Sequence, residues 1–374
     1  MNPSLPFLSA TSSRRSFLGR SLAASGAALL GGPVLLSACG GDDDSSSTTG
    51  APSTGTAGGS SAPSETTEVS TVFSWVKNVE WAGFWVGDDQ GYYAEEGLTN
   101  NFIGGGPNAP ENVQVIEAGT AGIGLASDTL KIIDAAGEGA DFVMFAAVLQ
   151  ESPVGFAWLD PEIKSIHDLV GKRLGGDGSS PSMIDACFAV NGIEKDYEFF
   201  SIGYDPAPLA NGEVDAILCY VTNQASVLEA QGLTVYTATL TDFGVPLYAD
   251  ALFAKRPFLD ANHDLVVKYL RATIKGHEKN MQDVALGAKL ATEKYGLDLA
   301  LDYDGQLTEN TKQIEYWKSD ITAQKGILWL DEEYISGPIY TGIRATGRTK
   351  LPDVKTLIDL SFLEEAYDGK TTLL

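Results

Sequence analysis

Residues 73–98 read FSWVKNVEWAGFWVGDDQGYYAEEGL. The stretch Val72–Val76 has the composition of a short strand, and Trp75, Trp81, Phe84 and Trp85 then fall within eleven residues. From Trp81 the apolar residues recur at Phe84, Trp85 and Tyr92, a helical spacing that predicts a helix over 81–93 with Gly97 as its stop. Working outward, the same alternation continues. Val113–Glu117 and the run DTLKIIDAAGEGA predict helices, while 121–125 and DFVMFAAVLQ predict buried strands. Residues 172–175 predict a strand, and Ser179 or Ser180 caps a helix that carries Pro181 in its first turn and ends near Gly192. YEFFSIG, AILCYV and LTVYTATL complete the strands, with NQASVLEAQG as a helix closed by Gly232. Beyond about residue 249 the chain reads mostly helical, over 265–281, 284–295, 309–318 and 354–363. Strands alternating with helices through short glycine-rich turns define an α/β fold.

The ends bound where the protein works. Arg14 and Arg15 precede a short apolar segment, 22–36, too short for an ordinary membrane helix. The paired arginines suggest twin-arginine export. That segment ends in Leu36-Ser37-Ala38-Cys39, which resembles a bacterial lipobox with Cys39 as the lipidated residue. Residues 1–39 are therefore expected to be a signal peptide. Residues 40–68 lack large apolar side chains and are expected to form a disordered tether. Removing the three arginines of the signal would take the net charge from −25 to −28. Such acidity argues against nucleic acid and anionic surfaces as partners. Cys187 and Cys219 are the cysteines that remain, either bridged or as two thiols. With three dispersed histidines and no CxxC or HExxH, neither a metal site nor a cofactor is expected.

Ligands of α/β units sit at the carboxyl ends of strands. This rule selects Trp75, Asn78 and Trp81 after the first strand and Asp128 after the third. It adds Gln150 and Ser152 after the next, then Ser179 and Ser180, then Tyr220, Asn223 and Gln224, with Tyr248 near a crossover. Phe84 and Trp85 are assigned to packing. Trp75 and Trp81 are assigned to the ligand, because a loop is a poor place to bury an indole, whose N–H needs a partner. Ser179 and Ser180 open a helix and suit an oxyanion or carbonyl group, or act only as a cap. A fully charged anion usually recruits an Arg or Lys fork, and the only arginine nearby is Arg173, on the preceding strand.

Three segments together resemble solute-binding proteins of the NMT1/THI5-like class. WVKNVEWAGFWVGDDQGYYAEEGL resembles their opening, SIHDLVGKRLG their second-lobe entry, and LANGEVDAILCYVTNQASVLEAQGL a later motif. The resemblance covers roughly residues 70–335. It implies a two-lobe periplasmic-binding-protein type II fold of mixed sheets flanked by helices, with the ligand cleft between the lobes. Lobe 1 would comprise 71–157 plus 249–374, and lobe 2 158–248. It further implies a monomeric, lipid-anchored receptor on the outer face of the membrane that hands a small molecule to an ABC permease. Aminopyrimidine precursors of thiamine, riboflavin, sulfonates and nitrate are ligands of the class. Its pyrimidine binders carry a Glu where this chain has Gln224, which can donate as well as accept and so also suits a flavin-like imide edge. Relatives that synthesise the thiamine pyrimidine carry a Cys-rich iron run that is not seen here, and an enzyme is not expected.

Overall fold

The structure, a computed structural model, describes residues 66–374. The expected signal peptide, Cys39 and most of the tether lie outside the described residues. Five strands build a first sheet: β1 (Thr67–Val72), β2 (Leu98–Ile103), β3 (Ile123–Ala126), β4 (Phe142–Leu149) and, from much later in the chain, β10 (Ala249–Lys255). Their order is β2-β1-β3-β10-β4, with β1 parallel to β2 and β3, and β10 antiparallel to β3 and β4. A second sheet repeats the pattern with β5 (Val154–Trp158), β6 (Arg173–Gly176), β7 (Glu198–Ser201), β8 (Ala216–Tyr220) and β9 (Tyr236–Thr239), ordered β7-β6-β8-β5-β9. Here β6 is parallel to β7 and β8, and β5 is antiparallel to β8 and β9. In each sheet one antiparallel strand is supplied by a chain crossing between the lobes. β4 and the central β8 read as continuous apolar runs because helices cover both faces.

Several boundaries differ from expectation. The first strand is Thr67–Val72, not 72–76, so Thr67 and Glu68 belong to the sheet rather than to the tether. The strand ends at Val72 because residues 73–76 turn away to meet the 104–106 loop, where Gly105 N–H donates to Trp75 O at 2.8 Å. A Cβ at Gly105 would lie 2.4 Å from Phe73 O, so only glycine permits this approach. The expected helix 81–93 is a turn, Val79–Trp81, followed by the helices Ala82–Asp89 and Tyr92–Glu95, divided at Gly91 with φ +79°. β5 belongs to the second sheet, so the chain leaves the first at 150–153, earlier than residue 157. The return crossover is 240–248. The long helix His263–Gln282 packs on Ala82–Asp89 so closely that a Cβ at Gly276 would lie 2.2 Å from Gly83 O. No helix among the described residues is long and apolar enough to cross a membrane. Cys187 and Cys219 are free thiols.

Candidate functional site

A cavity of about 350 Å³ opens between the two sheets, at the lower end of the range for small-molecule sites. Its walls are the loops that leave the carboxyl ends of β1, β2, β3, β6, β7 and β8. Of the expected residues, Trp75, Asp128, Ser179, Ser180, Tyr220, Asn223 and Gln224 line it. Trp75 reaches across to Tyr204, on the loop after β7, with ring centroids 4.7 Å apart and planes at 71°. Tyr220 Oη donates to Ser127 O at 3.3 Å, a second link between the two halves.

The remaining five expected residues do not line the cavity. Trp81 is fully buried, stacked 4.5 Å from Phe73, with its N–H donating to Val76 O at 3.0 Å; it belongs to the core, as Trp85 does. A backbone acceptor five residues back solves the indole problem that had placed Trp81 at the ligand. Gln150 is held by Ser319 Oγ at 2.9 Å and by Ala147 O at 3.1 Å. Ser152 ties the two crossovers, its N–H donating to Leu247 O at 2.8 Å. Tyr248 is a core ring whose hydroxyl accepts from Asp331 N at 3.0 Å. Asn78 caps the Val79–Trp81 turn by accepting from Glu80 N, and its amide donates to Glu309 at 3.4 Å, behind the cavity wall.

The polar groups that do line the cavity have defined vacancies. Gln224 Oε1 accepts from Tyr220 N at 2.9 Å, so its free capacity is the donating amide. Asn223 donates its amide to Glu309 Oε2 at 3.0 Å and keeps its carbonyl as an acceptor. Ser179 and Ser180 both give their hydroxyls and backbone N–H groups to Asp177 Oδ1, at 2.7–3.1 Å. The cap of the helix Ser180–Val190 is therefore Asp177, and an anion there would meet a carboxylate. Burial alone would push Asp177 up, but the hydrogen bonds from Ser179, Tyr204 and Ser180 hold it below the usual range.

Sequence reasoning missed Tyr204, Asp177, Glu80, Glu111 and Lys131 in the lining. Glu80 was hidden by its aromatic neighbours, although an acid set directly between Val79 and Trp81 was a usable signal. Its pKa is raised well above normal, first by burial and then by Asp250 and Glu309. Asp128 is also raised by burial, against Lys131 and the N–H groups of Leu130 and Lys131. The lysine in the lining, Lys131, is already paired with Glu111 at 2.8 Å, and Arg173 is paired with Asp215 at 2.7 Å. The cavity thus presents aromatic faces, amide donors and acceptors, and an excess of carboxylates. Among the described residues no group of three or more His, Cys, Asp or Glu is placed to hold a metal ion.

Two mixed five-stranded sheets, linked by two crossovers with a cavity at their carboxyl ends, define the periplasmic-binding-protein type II fold. Residues 78–283, more than half of the chain, match the family described as NMT1/THI5 like, and the chain belongs to that family. It is 25% identical over 333 residues to the riboflavin-binding protein RibY of Chloroflexus aurantiacus, covering 80% of this chain and 88% of RibY. It is 25% identical over 239 residues to the formylaminopyrimidine-binding protein of Halalkalibacterium halodurans, covering 61% of this chain and 71% of that protein. The periplasmic aliphatic sulphonate binding protein SsuA of Escherichia coli shares the fold with a TM-score of 0.52 at 16% identity, over 78% of this chain and 92% of SsuA.

Proposed function

We propose that this chain is the extracytoplasmic substrate-binding component of an ABC importer, anchored through Cys39, and that its ligand is an aromatic nitrogen heterocycle. The observation that carries the reading is the composition of the cavity: Trp75 and Tyr204 meet across it, amides border it, and its lysine is already neutralised by Glu111. A planar ring can stack on the aromatic wall that Trp75 and Tyr204 form by their edge-to-face contact, while the Gln224 amide donates and the Asn223 carbonyl accepts at its edge. The names of the two curated relatives support the same ligand class, riboflavin in one and a formylaminopyrimidine in the other. A sulfonate or nitrate would face Asp177 where it needs a donor fork.

Tryptophan fluorescence and calorimetric titration test this directly. An aminopyrimidine or riboflavin should quench emission and raise the melting temperature, while taurine and nitrate should do neither. Binding of taurine or nitrate in place of the heterocycles would reverse the reading and make the protein an anion receptor.

A further inference from the structure

Glu80, on the turn Val79–Trp81 in the cavity lining, lies within side-chain hydrogen-bond reach of Asp250, the second residue of β10. Glu80 is 7% exposed, lines the cavity, and receives no N–H or O–H donor from another described side chain. Asp250 is 1% exposed, and neither of its oxygens meets a donor from the protein. Two carboxyl groups in contact without a cation stay together only when one of them carries a proton for both. Burial, first, raises both groups above the ordinary carboxylate range, and Glu309 adds to the effect on Glu80. The groups facing the pair are Glu309 from the helix Tyr303–Gln313 and the ring of Tyr220 from β8, with Asp128 beyond it; Lys131 is spent on Glu111. The chain accepts φ +48° at Asp250 to place this carboxyl.

We propose that Glu80 and Asp250 form a single proton-sharing acid pair that accepts a hydrogen bond from a basic, N–H-bearing edge of the ligand ring, and that this pair selects basic heterocycles over neutral ones. The inference rests on the heterocycle reading and names the ligand class within it. With the shared proton held toward Asp250, the other oxygen of Glu80 is free to accept from the cavity side. The pair carries one negative charge with no protein counter-charge beside it, which an amino-substituted, protonatable ring neutralises and a neutral lactam or imide does not. The Gln224 amide donor then serves the ring's acceptor nitrogen, so that Glu80 and Gln224 together present one acceptor and one donor.

Calorimetry on the full mature chain with two matched probes tests the pair: the pyrimidine alcohol of thiamine, and its oxo analogue in which the ring amino group is replaced by a carbonyl. The wild type should prefer the amino ring by about tenfold or more. Glu80→Ala should abolish that preference. Glu80→Gln should keep amino-ring affinity within about fivefold, because Gln reproduces the protonated acid, its amide toward Asp250 and its carbonyl toward the ligand. Asp250→Asn, a residue that tolerates positive φ, donates its amide to Glu80, leaves the single negative charge on Glu80 and should keep the preference for the amino ring. If Glu80→Ala binds the amino ring with undiminished preference, or Asp250→Asn loses that preference while staying folded, the inference fails while the heterocycle reading stands. If the folded wild type binds neither ring nor riboflavin, both fail together.

Discussion

Three of the four rings between positions 75 and 85 are packing, and the difference lies in where each N–H goes. Trp81 and Trp85 donate to Val76 O and Asn78 O, in the segment just before them, at 3.0 and 2.8 Å, and both are fully buried. Trp75 makes no such bond among the described residues and turns its ring to the cavity. Trp75→Ala should therefore weaken ligand binding by about tenfold, the worth of roughly 0.5–1.5 kcal/mol of stacking plus lost area, with an unchanged urea midpoint. Trp81→Ala should cost about 3–5 kcal/mol of stability, read from the same denaturation curves. Two other buried residues set the response to acid. Burial lifts Glu309 to about 7, hydrogen bonds from Asn223 and Gln306 offsetting only part of it. Between the unfolded value of 4.5 and this value the native state holds the extra proton. Its contribution to stability is complete below 4.5 and is lost as pH rises through 7. Burial lowers His277 from 6.5 to about 4, so its contribution is present above 6.5 and is lost as pH falls toward 4. Each is worth about 3 kcal/mol at most, and the two oppose each other between 4.5 and 6.5. Glu309→Gln should leave His277 less opposed, steepening the loss of stability below pH 6.5. Its gain over wild type should grow from about 1 kcal/mol at pH 5 to about 3 kcal/mol at pH 8, measured by urea titration at each pH.

At the scale of elements, the wall of the cavity depends on one cap. Asp177 gathers both backbone N–H groups and both hydroxyls of Ser179 and Ser180, and its pKa lies below the usual range. Asp177→Ala should cost about 1–2 kcal/mol, the usual worth of an N-cap. Because the carboxylate is depressed, the wild-type advantage should shrink as pH falls through its folded pKa, which urea curves near pH 3 and pH 7 would show. The class of fold was legible from the alternation of β4, β8 and their neighbouring helices, and the opening motif led to the right family. Boundaries were less legible where tertiary contacts decide them: β1 stops at Val72 because the Gly105 loop claims Trp75, and nothing within 67–76 announces that. Seven residues of the cavity lining followed from the carboxyl-end rule alone. Tyr204 did not, because it lies on an irregular loop after β7 and becomes a wall only when Trp75 stands opposite. Asp177 was overlooked because Ser179 and Ser180 looked like sufficient caps by themselves.

The two halves of the molecule are joined by the crossovers at 150–153 and 240–248, by the packing of Met183 and Tyr220 against the apolar clusters of the first half, and by several polar ties. Asn223 donates to Glu309 at 3.0 Å, Tyr220 to Ser127, and Lys312 donates to Ser226 Oγ at 2.8 Å while pairing with Glu229. The Trp75–Tyr204 contact adds an apolar element. Ties of this kind are worth about 0.5–1.5 kcal/mol for a hydrogen bond and less for a half-exposed ion pair, so each adds a small increment to the contact between the halves that a ligand can extend. When only the closed form binds, the apparent affinity scales with the closed fraction. Lys312 lies away from the cavity lining, and Lys312→Ala removes a tie without touching the ligand. The variant should bind the heterocycle about two- to fivefold more weakly with an unaltered melting temperature. Salt supplies the control: screening weakens the Lys312–Glu229 pair, so added salt should erode wild-type affinity more than that of the variant and narrow the gap between them. Equal affinities at low salt would mean that the tie persists in the open form and contributes nothing to closure.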